Sequence, residues 1–165
     1  MLIRSATAED GEKLKELIED AESSGFMMFD PGERQIPAEA LGKRIEAMES
    51  DPTSTILLAE GDGELLGYLF VIGNAQVRTR HSVYLAIGIR AASRGQGVGT
   101  ALFKRLDEWA AENKIRRLEL TVMVSNRAGL ALYQKMGFII EGIKKNSLIV
   151  DGEYIDEDYM GKLIS

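Results

Sequence analysis

The sequence predicts an α/β fold: one domain over residues 1–165, built on a mixed, mostly antiparallel sheet flanked by helices. Three observations carry this. Between Ser54 and Ile89, apolar residues alternate in short runs separated by turn residues, the pattern of successive hairpin-linked strands. Helical periodicity flanks them, in Leu14, Leu17, Ile18 and Ala21 and again in Leu102, Leu106, Trp109 and Ala110. Between Val83 and Val124 come a strand, a glycine-dense turn, a helix and a second strand, a crossover that makes the two strands parallel.

In chain order, Leu2 to Ser5 reads as an opening strand. Thr7, with Asp10 three residues on, is a variant of the capping box for a helix that Ser23-Ser24-Gly25 ends. Phe26 to Phe29 put four large apolar residues before the turn Asp30-Pro31-Gly32; this segment reads either as a loop covering the core or as a wall facing a substrate. Ala38 to Met48 is a second helix. Strands at Ser54 to Glu60 and Glu64 to Ile72 flank a hairpin turn at Gly61-Asp62-Gly63. After a polar connection, Gly73 to Arg80, the strand His81 to Ile89 completes an antiparallel meander. Thr100 to Asn113 reads as a helix and Arg116 to Val124 as a strand; Asn126 caps a helix Arg127 to Met136 that Gly137 ends. A closing hairpin turns at Asp151-Gly152.

Composition narrows the function. The chain has no cysteine and one histidine, His81, which excludes thiol catalysis and multi-histidine or cysteine metal sites. A formal charge of -6 argues against a nucleic-acid partner, which would call for a basic face. No apolar run is long enough to span a membrane and no leader pattern opens the chain, so a cytoplasmic location is expected.

The turn after Ile89 carries the chemistry. Glycines at 95, 97 and 99, opening a helix, present unpaired N–H groups and the positive end of a helix dipole, a setting that binds phosphate. A Walker loop would need Lys and then Ser or Thr after its second glycine, and Gly99 is followed by Thr100 and Ala101. A dinucleotide fingerprint read from Gly95 would need glycine where Thr100 stands, and read from Gly97 where Leu102 stands. What fits is Arg94-x-x-Gly97-x-Gly99. This resembles the acyl-coenzyme A loop of the GNAT family of N-acetyltransferases, R/Q-x-x-G-x-G/A. A second stretch, SNRAGLALYQKMGF, resembles that family's N-x-x-A/G-x-x-x-Y-x-x-x-G-F through Asn126, Gly129, Tyr133, Gly137 and Phe138. The tail DGEYIDEDYMGKLI is similar to the closing hairpin of the amino-acid, antibiotic-amine and ribosomal-protein acetylating enzymes. One position departs from many relatives, which have Pro where this chain has Ala91.

The resemblance implies a sheet splayed at its centre, opening a wedge for the pantetheine arm of acetyl-coenzyme A, with no metal. Ile87, Gly88 and Ile89 would pair with that arm, and a main-chain N–H there would meet the thioester oxygen. Gly95, Gln96, Gly97, Val98, Gly99 and Thr100 would hold the pyrophosphate, with Arg94 adding charge. Asn126 would reach the arm, and Tyr133 would give a proton to the departing thiolate; a phenol near ~10 and a thiol near ~8.5 are close enough for transfer. The base is open between Glu119, acting through water, and His81. An alkyl ammonium near ~10.4 needs a base far more than an α-amine near ~7.8.

The acceptor is a primary amine on a small molecule or a protein N-terminus, attacked directly in a ternary complex. A catalytically silent acyl-coenzyme A sensor is the alternative, and an adaptor that binds no nucleotide is a third reading. Selection of the acceptor falls to the loop Ser24 to Pro37, the connection Gly73 to His81 and the tail around Asn146 to Tyr154. An acidic pocket there favours polyamines; Arg78 or Arg80 would favour an acceptor carrying a carboxylate. The Phe26 to Phe29 patch and the C-terminal strands each offer a surface for a homodimer.

Overall fold

A computed structural model describes residues 1–165. Seven strands form a sheet in the order β1-β2-β3-β4-β5-β7-β6. They are β1 (Leu2–Ser5), β2 (Thr55–Gly61), β3 (Glu64–Ile72), β4 (Ser82–Ile89), β5 (Arg117–Met123), β6 (Ile139–Val150) and β7 (Glu153–Leu163). The helices are α1 (Gly11–Glu22), α2 (Ala38–Glu49), α3 (Val98–Glu112) and α4 (Arg127–Lys135). Every neighbouring pair of strands is antiparallel except β4 with β5, the two ends of the α3 crossover. No helix is long and apolar enough to cross a membrane.

Turn chemistry sets the two hairpins. Asp62 and Gly63 adopt φ of 53° and 75°, and Asp151 and Gly152 adopt 51° and 80°, the left-handed pair that joins twisted antiparallel strands in two residues.

Each face of the sheet is covered. Leu102, Phe103 and Leu106 of α3 pack with Val83, Leu85, Leu118 and Leu120 on one face. Leu14, Leu17, Leu41 and Ile45 of α1 and α2 pack with Ile56, Leu58, Tyr68 and Phe70 on the other. Strand β2 is central to both cores: Leu57 and Ala59 face the first, Ile56 and Leu58 the second. Each such buried leucine contributes about 1.5–3 kcal/mol.

Three boundaries differ from the sequence reading. The Thr7–Asp10 box forms, with the Thr7 N–H donating to Asp10 Oδ2 at 2.7 Å, but it starts a 3-10 turn, Ala8–Asp10, ahead of α1. Arg4 donates to both Asp10 oxygens at 2.8 and 2.9 Å, and this guanidinium holds the Asp10 carboxyl below the usual carboxylate range. Helix α3 begins at Val98 rather than Thr100, because the chain turns helical directly after the left-handed Gly97; Phe103 joins its inward face. His81 lies outside β4 and is exposed.

Candidate active site

The wedge expected from the resemblance is present. Strands β4 and β5 pair at three positions, Ser82 with Arg117, Val83 with Leu118 and Tyr84 with Glu119. Beyond them β4 stays with β3 as far as Ile89 opposite Gly67, while β5 stays with β7 as far as Met123 opposite Glu157. The facing edges of Leu85–Ile89 and Leu120–Met123 therefore lack a strand partner. Ile87, Gly88 and Ile89 lie on this open edge.

Gly88 is fixed from the α1 side. A methyl group there would overlap the ring of Tyr68, its cross-strand partner, so the phenol lies directly against the strand backbone. The Tyr68 ring is 2% exposed, and burial pushes its pKa up. Tyr84 sits opposite Glu119, and its hydroxyl lies 2.9 Å from Thr121 Oγ1, a side-chain link across the split. Tyr133 closes the other face: its ring packs edge-on against Phe103 and Phe138, with centroids 5.7 and 6.3 Å away. Burial pushes the Tyr133 phenol up to about 12, with Tyr84 nearby adding to the rise. That corrects the near-10 value expected from sequence, and it leaves the phenol protonated at any physiological pH.

At the end of the open edge, a 3-10 turn (Ala91–Ser93) leads into the glycine loop. Gly95 and Gly97 have φ of 73° and 82°, and beyond both is open space where a Cβ would sit. The first amide of α3 to find a helical acceptor is that of Ala101, which donates to the Gly97 carbonyl at 3.0 Å. The amides of Val98, Gly99 and Thr100 are thus the orphan donors of the helix start, pointing out of the loop. Arg94 is exposed and in no ion pair, while Gln96 is tethered to the Ala92 carbonyl at 3.2 Å. This cradle of free amides, open at its glycines and joined to the unpaired edge of β4, fits a pyrophosphate with an extended arm. Ala91 also finds a use that Pro would forgo: its N–H donates to Asp20 Oδ2 at 2.7 Å, tying the loop to α1. The buried Arg90 adds a second tie, to the Leu65 carbonyl at 2.8 Å.

Gly99 has a different reason from its neighbours. It is helical, and a Cβ there would lie 2.7 Å from Leu132 Cδ2, so its smallness lets α4 approach α3. That approach brings Tyr133 beside the loop. Asn126 accepts a hydrogen bond from the Gly129 N–H at 3.0 Å, capping α4 as expected.

The two candidate bases part company. Glu119 stands at the apex of the split, paired with Arg117 at 2.9 Å, and Arg117 also grips Glu141 at 2.6 Å. His81 lies at the closed end of β4, where its carbonyl accepts from the Arg116 and Arg117 amides. Arg78 and Arg80, in the same connection, also sit at the end of the sheet opposite the opening of the wedge.

Over that opening, the loop between α1 and α2 meets the tip of the β6–β7 hairpin. They enclose a cavity of about 190 Å³ lined by Met27, Met28 and Phe29 from one side and Leu148, Ile149 and Val150 from the other, with Asp30 and Asp151 as its charged residues. The Phe26 to Phe29 segment therefore serves both expected roles: Met27 packs on the core, while Met28 is 70% exposed. Behind the loop, Arg34 lies 2.7 Å from the buried Glu22 and 4.4 Å over the Phe29 ring. Sequence reasoning did not find Tyr68, Tyr84, Thr121 or the Glu22–Arg34 pair. The signal for Tyr68 was its facing glycine, which only the strand register makes visible.

Comparison with known proteins agrees with this geometry. The family model described as Acetyltransferase (GNAT) family matches residues 13–138. The chain is 31% identical over 122 residues, 72% of its length and 74% of the relative's, to the L-amino acid N-acetyltransferase AaaT of Escherichia coli (strain K12). It is 37% identical over 106 residues, 62% of its length and 66% of the relative's, to a putative [ribosomal protein bS18]-alanine N-acetyltransferase of Bacillus subtilis (strain 168). Among solved structures, an acetyltransferase of the GNAT family from Streptococcus pneumoniae superposes with a TM-score of 0.94 at 31% identity, covering 99% of both chains. With two motifs on their expected elements, a splayed sheet and a family match over most of its length, this chain belongs to the GNAT family of acetyltransferases.

Proposed function

We propose that this protein transfers an acetyl group from acetyl-coenzyme A to a primary amine, on a small molecule or a protein N-terminus, by direct attack in a ternary complex. The observation that carries the reading is the three-position pairing of β4 with β5, which leaves an unpaired strand edge leading straight to a loop of free amides. Enzymes of this family use acetyl-coenzyme A as co-substrate. A cytoplasmic site of action accords with that supply.

In this reading the amides of Gly95 to Thr100, with Arg94, bind the pyrophosphate, and the Ile87–Ile89 edge hydrogen-bonds the arm as a strand would. A main-chain N–H on that edge polarises the thioester carbonyl. The neutral amine attacks the carbonyl carbon; the C–N bond forms, the C–S bond breaks, and the amine loses one proton. Glu119 accepts that proton through water, its exposure allowing exchange with solvent. Tyr133, kept protonated by burial, donates to the leaving sulfur. Its high pKa makes full transfer to a free thiolate near ~8.5 uphill, so the hydrogen bond in the transition state is its main contribution. Asn126 keeps α4, and hence Tyr133, in place.

The test is release of coenzyme A thiol from acetyl-coenzyme A with a panel of amines, alongside the shift in melting temperature on adding acetyl-coenzyme A. Turnover with an amine supports the reading. A melting shift with no turnover on any amine would favour the silent sensor, and no shift at all would remove both.

A further inference from the structure

The cavity over the wedge is the acceptor side of the proposed reaction, and its chemistry narrows the acceptor. This step rests on the transfer reading above. The wall is apolar, and the only charged side chains on it, Asp30 and Asp151, carry the same sign. Neither carboxylate is in an ion pair, although both are exposed and free to make one. The cations that could reverse this are spent or distant. Arg34, on the same loop, is held by Glu22 and by the face of Phe29. Arg78 and Arg80 are at the closed end of β4. Behind the loop, the Glu22 carboxylate is 2% exposed, and its Oε2 has no aligned hydrogen-bond donor even beside Arg34.

We propose that the acceptor has an apolar stem with a second positive charge beyond the reacting amine: a diamine, a polyamine or a peptide whose early residues include an apolar side chain and a cation. The stem lies between Met28 and Ile149, and the distal cation lies between Asp30 and Asp151. A volume of about 190 Å³ admits a short alkyl chain, being about six waters' worth of space. An acceptor bearing a free carboxylate meets two like charges and no unoccupied cation, and is disfavoured. That sets this chain apart from a relative named for L-amino acids.

Three amines of equal length isolate the terminal charge: 1,6-diaminohexane, hexylamine and 6-aminohexanoate. Each is titrated calorimetrically into the protein loaded with coenzyme A, and each is assayed for thiol release with acetyl-coenzyme A. The expected order of affinity is diamine, then hexylamine, then aminohexanoate, with about a five- to tenfold gap between the first and last, since exposed ion pairs are individually weak. The gap should shrink in the Asp30→Asn/Asp151→Asn double variant and at high salt. Asparagine is tolerated at the left-handed φ of residue 151, so the hairpin turn survives. Equal or better binding of 6-aminohexanoate, a gap indifferent to salt and to the double variant, or no binding of any of the three overturns the proposal. Binding in the expected order without thiol release leaves the subsite standing and defeats the transfer reading; thiol release with no charge preference does the reverse.

Discussion

The Tyr84 hydroxyl and Thr121 Oγ1 meet at 2.9 Å across the two strands that have just stopped pairing. Main-chain pairing ends at Tyr84 and Glu119, so this side-chain bridge braces the apex of the wedge on the α1 side. Tyr84→Phe and Thr121→Val should each lower stability modestly. In a double-mutant cycle by urea unfolding, their coupling should be about 1 kcal/mol. Additive effects would show that the bridge carries no energy. Binding of acetyl-coenzyme A should change little, since neither group lies in the amide loop.

Tyr133→Phe tests the acid. It should cut kcat by about a hundredfold with little change in the dissociation constant of acetyl-coenzyme A. Unchanged kcat would leave Tyr133 a packing residue. The residue also has a stability signature. Its native pKa of about 12 exceeds the ordinary value of about 10. The native state therefore holds the proton more tightly; the stabilisation is fully present below about pH 10 and is lost as pH rises toward about 12. Denaturant unfolding across that window should fall less steeply in the Phe variant.

Glu119→Gln bears on the base. If Glu119 takes the amine proton through water, the variant should lose kcat/KM and the acid limb of the pH profile together, with coenzyme affinity retained. Glu119 also pairs with Arg117, so Glu141→Gln is the control: it too loosens Arg117, and it should leave the pH profile in place. Matching profiles in both variants would mean the effect travels through Arg117.

Gly99→Ala should cost about 1–3 kcal/mol by overpacking, because its new methyl meets Leu132 Cδ2. Leu132→Val on the same chain should restore much of that loss, as read from urea midpoints. If the double variant is no more stable than Gly99→Ala, the cost arises elsewhere.

The fold was legible because its signals are local. Glycine and aspartate turns placed both long hairpins, and helical spacing placed all four helices. The cofactor loop was legible for the same reason, since spacing along one segment encodes it. The loop's glycines illustrate the limit: Gly95 and Gly97 need their left-handed φ, whereas Gly99 exists for contact with Leu132, a residue 33 positions away in sequence. Tyr68 against Gly88, Tyr84 with Thr121 and Glu22 with Arg34 are likewise meetings of segments distant in the chain. His81 shows the converse error. Its place just before β4 suggested proximity to the chemistry, but the strand's length carries it to the far end.

The short parallel contact between β4 and β5 also governs how this protein holds itself together. Strands β1 to β4 with α1 and α2 make one slab, and β5 to β7 make another; between them the main chain supplies three register positions, while α3 and the aromatic cluster around Phe103 supply most of the adhesion. A co-substrate lodged in the gap adds the missing rungs and becomes, for the length of a turnover, a piece of the sheet. Occupancy then reaches every amide along that edge: hydrogen exchange slows there, and at a hundred times the dissociation constant the folded state gains about 2.7 kcal/mol. Release of coenzyme A returns the two slabs to a weaker seam, so each catalytic cycle is also a cycle of stiffening and loosening.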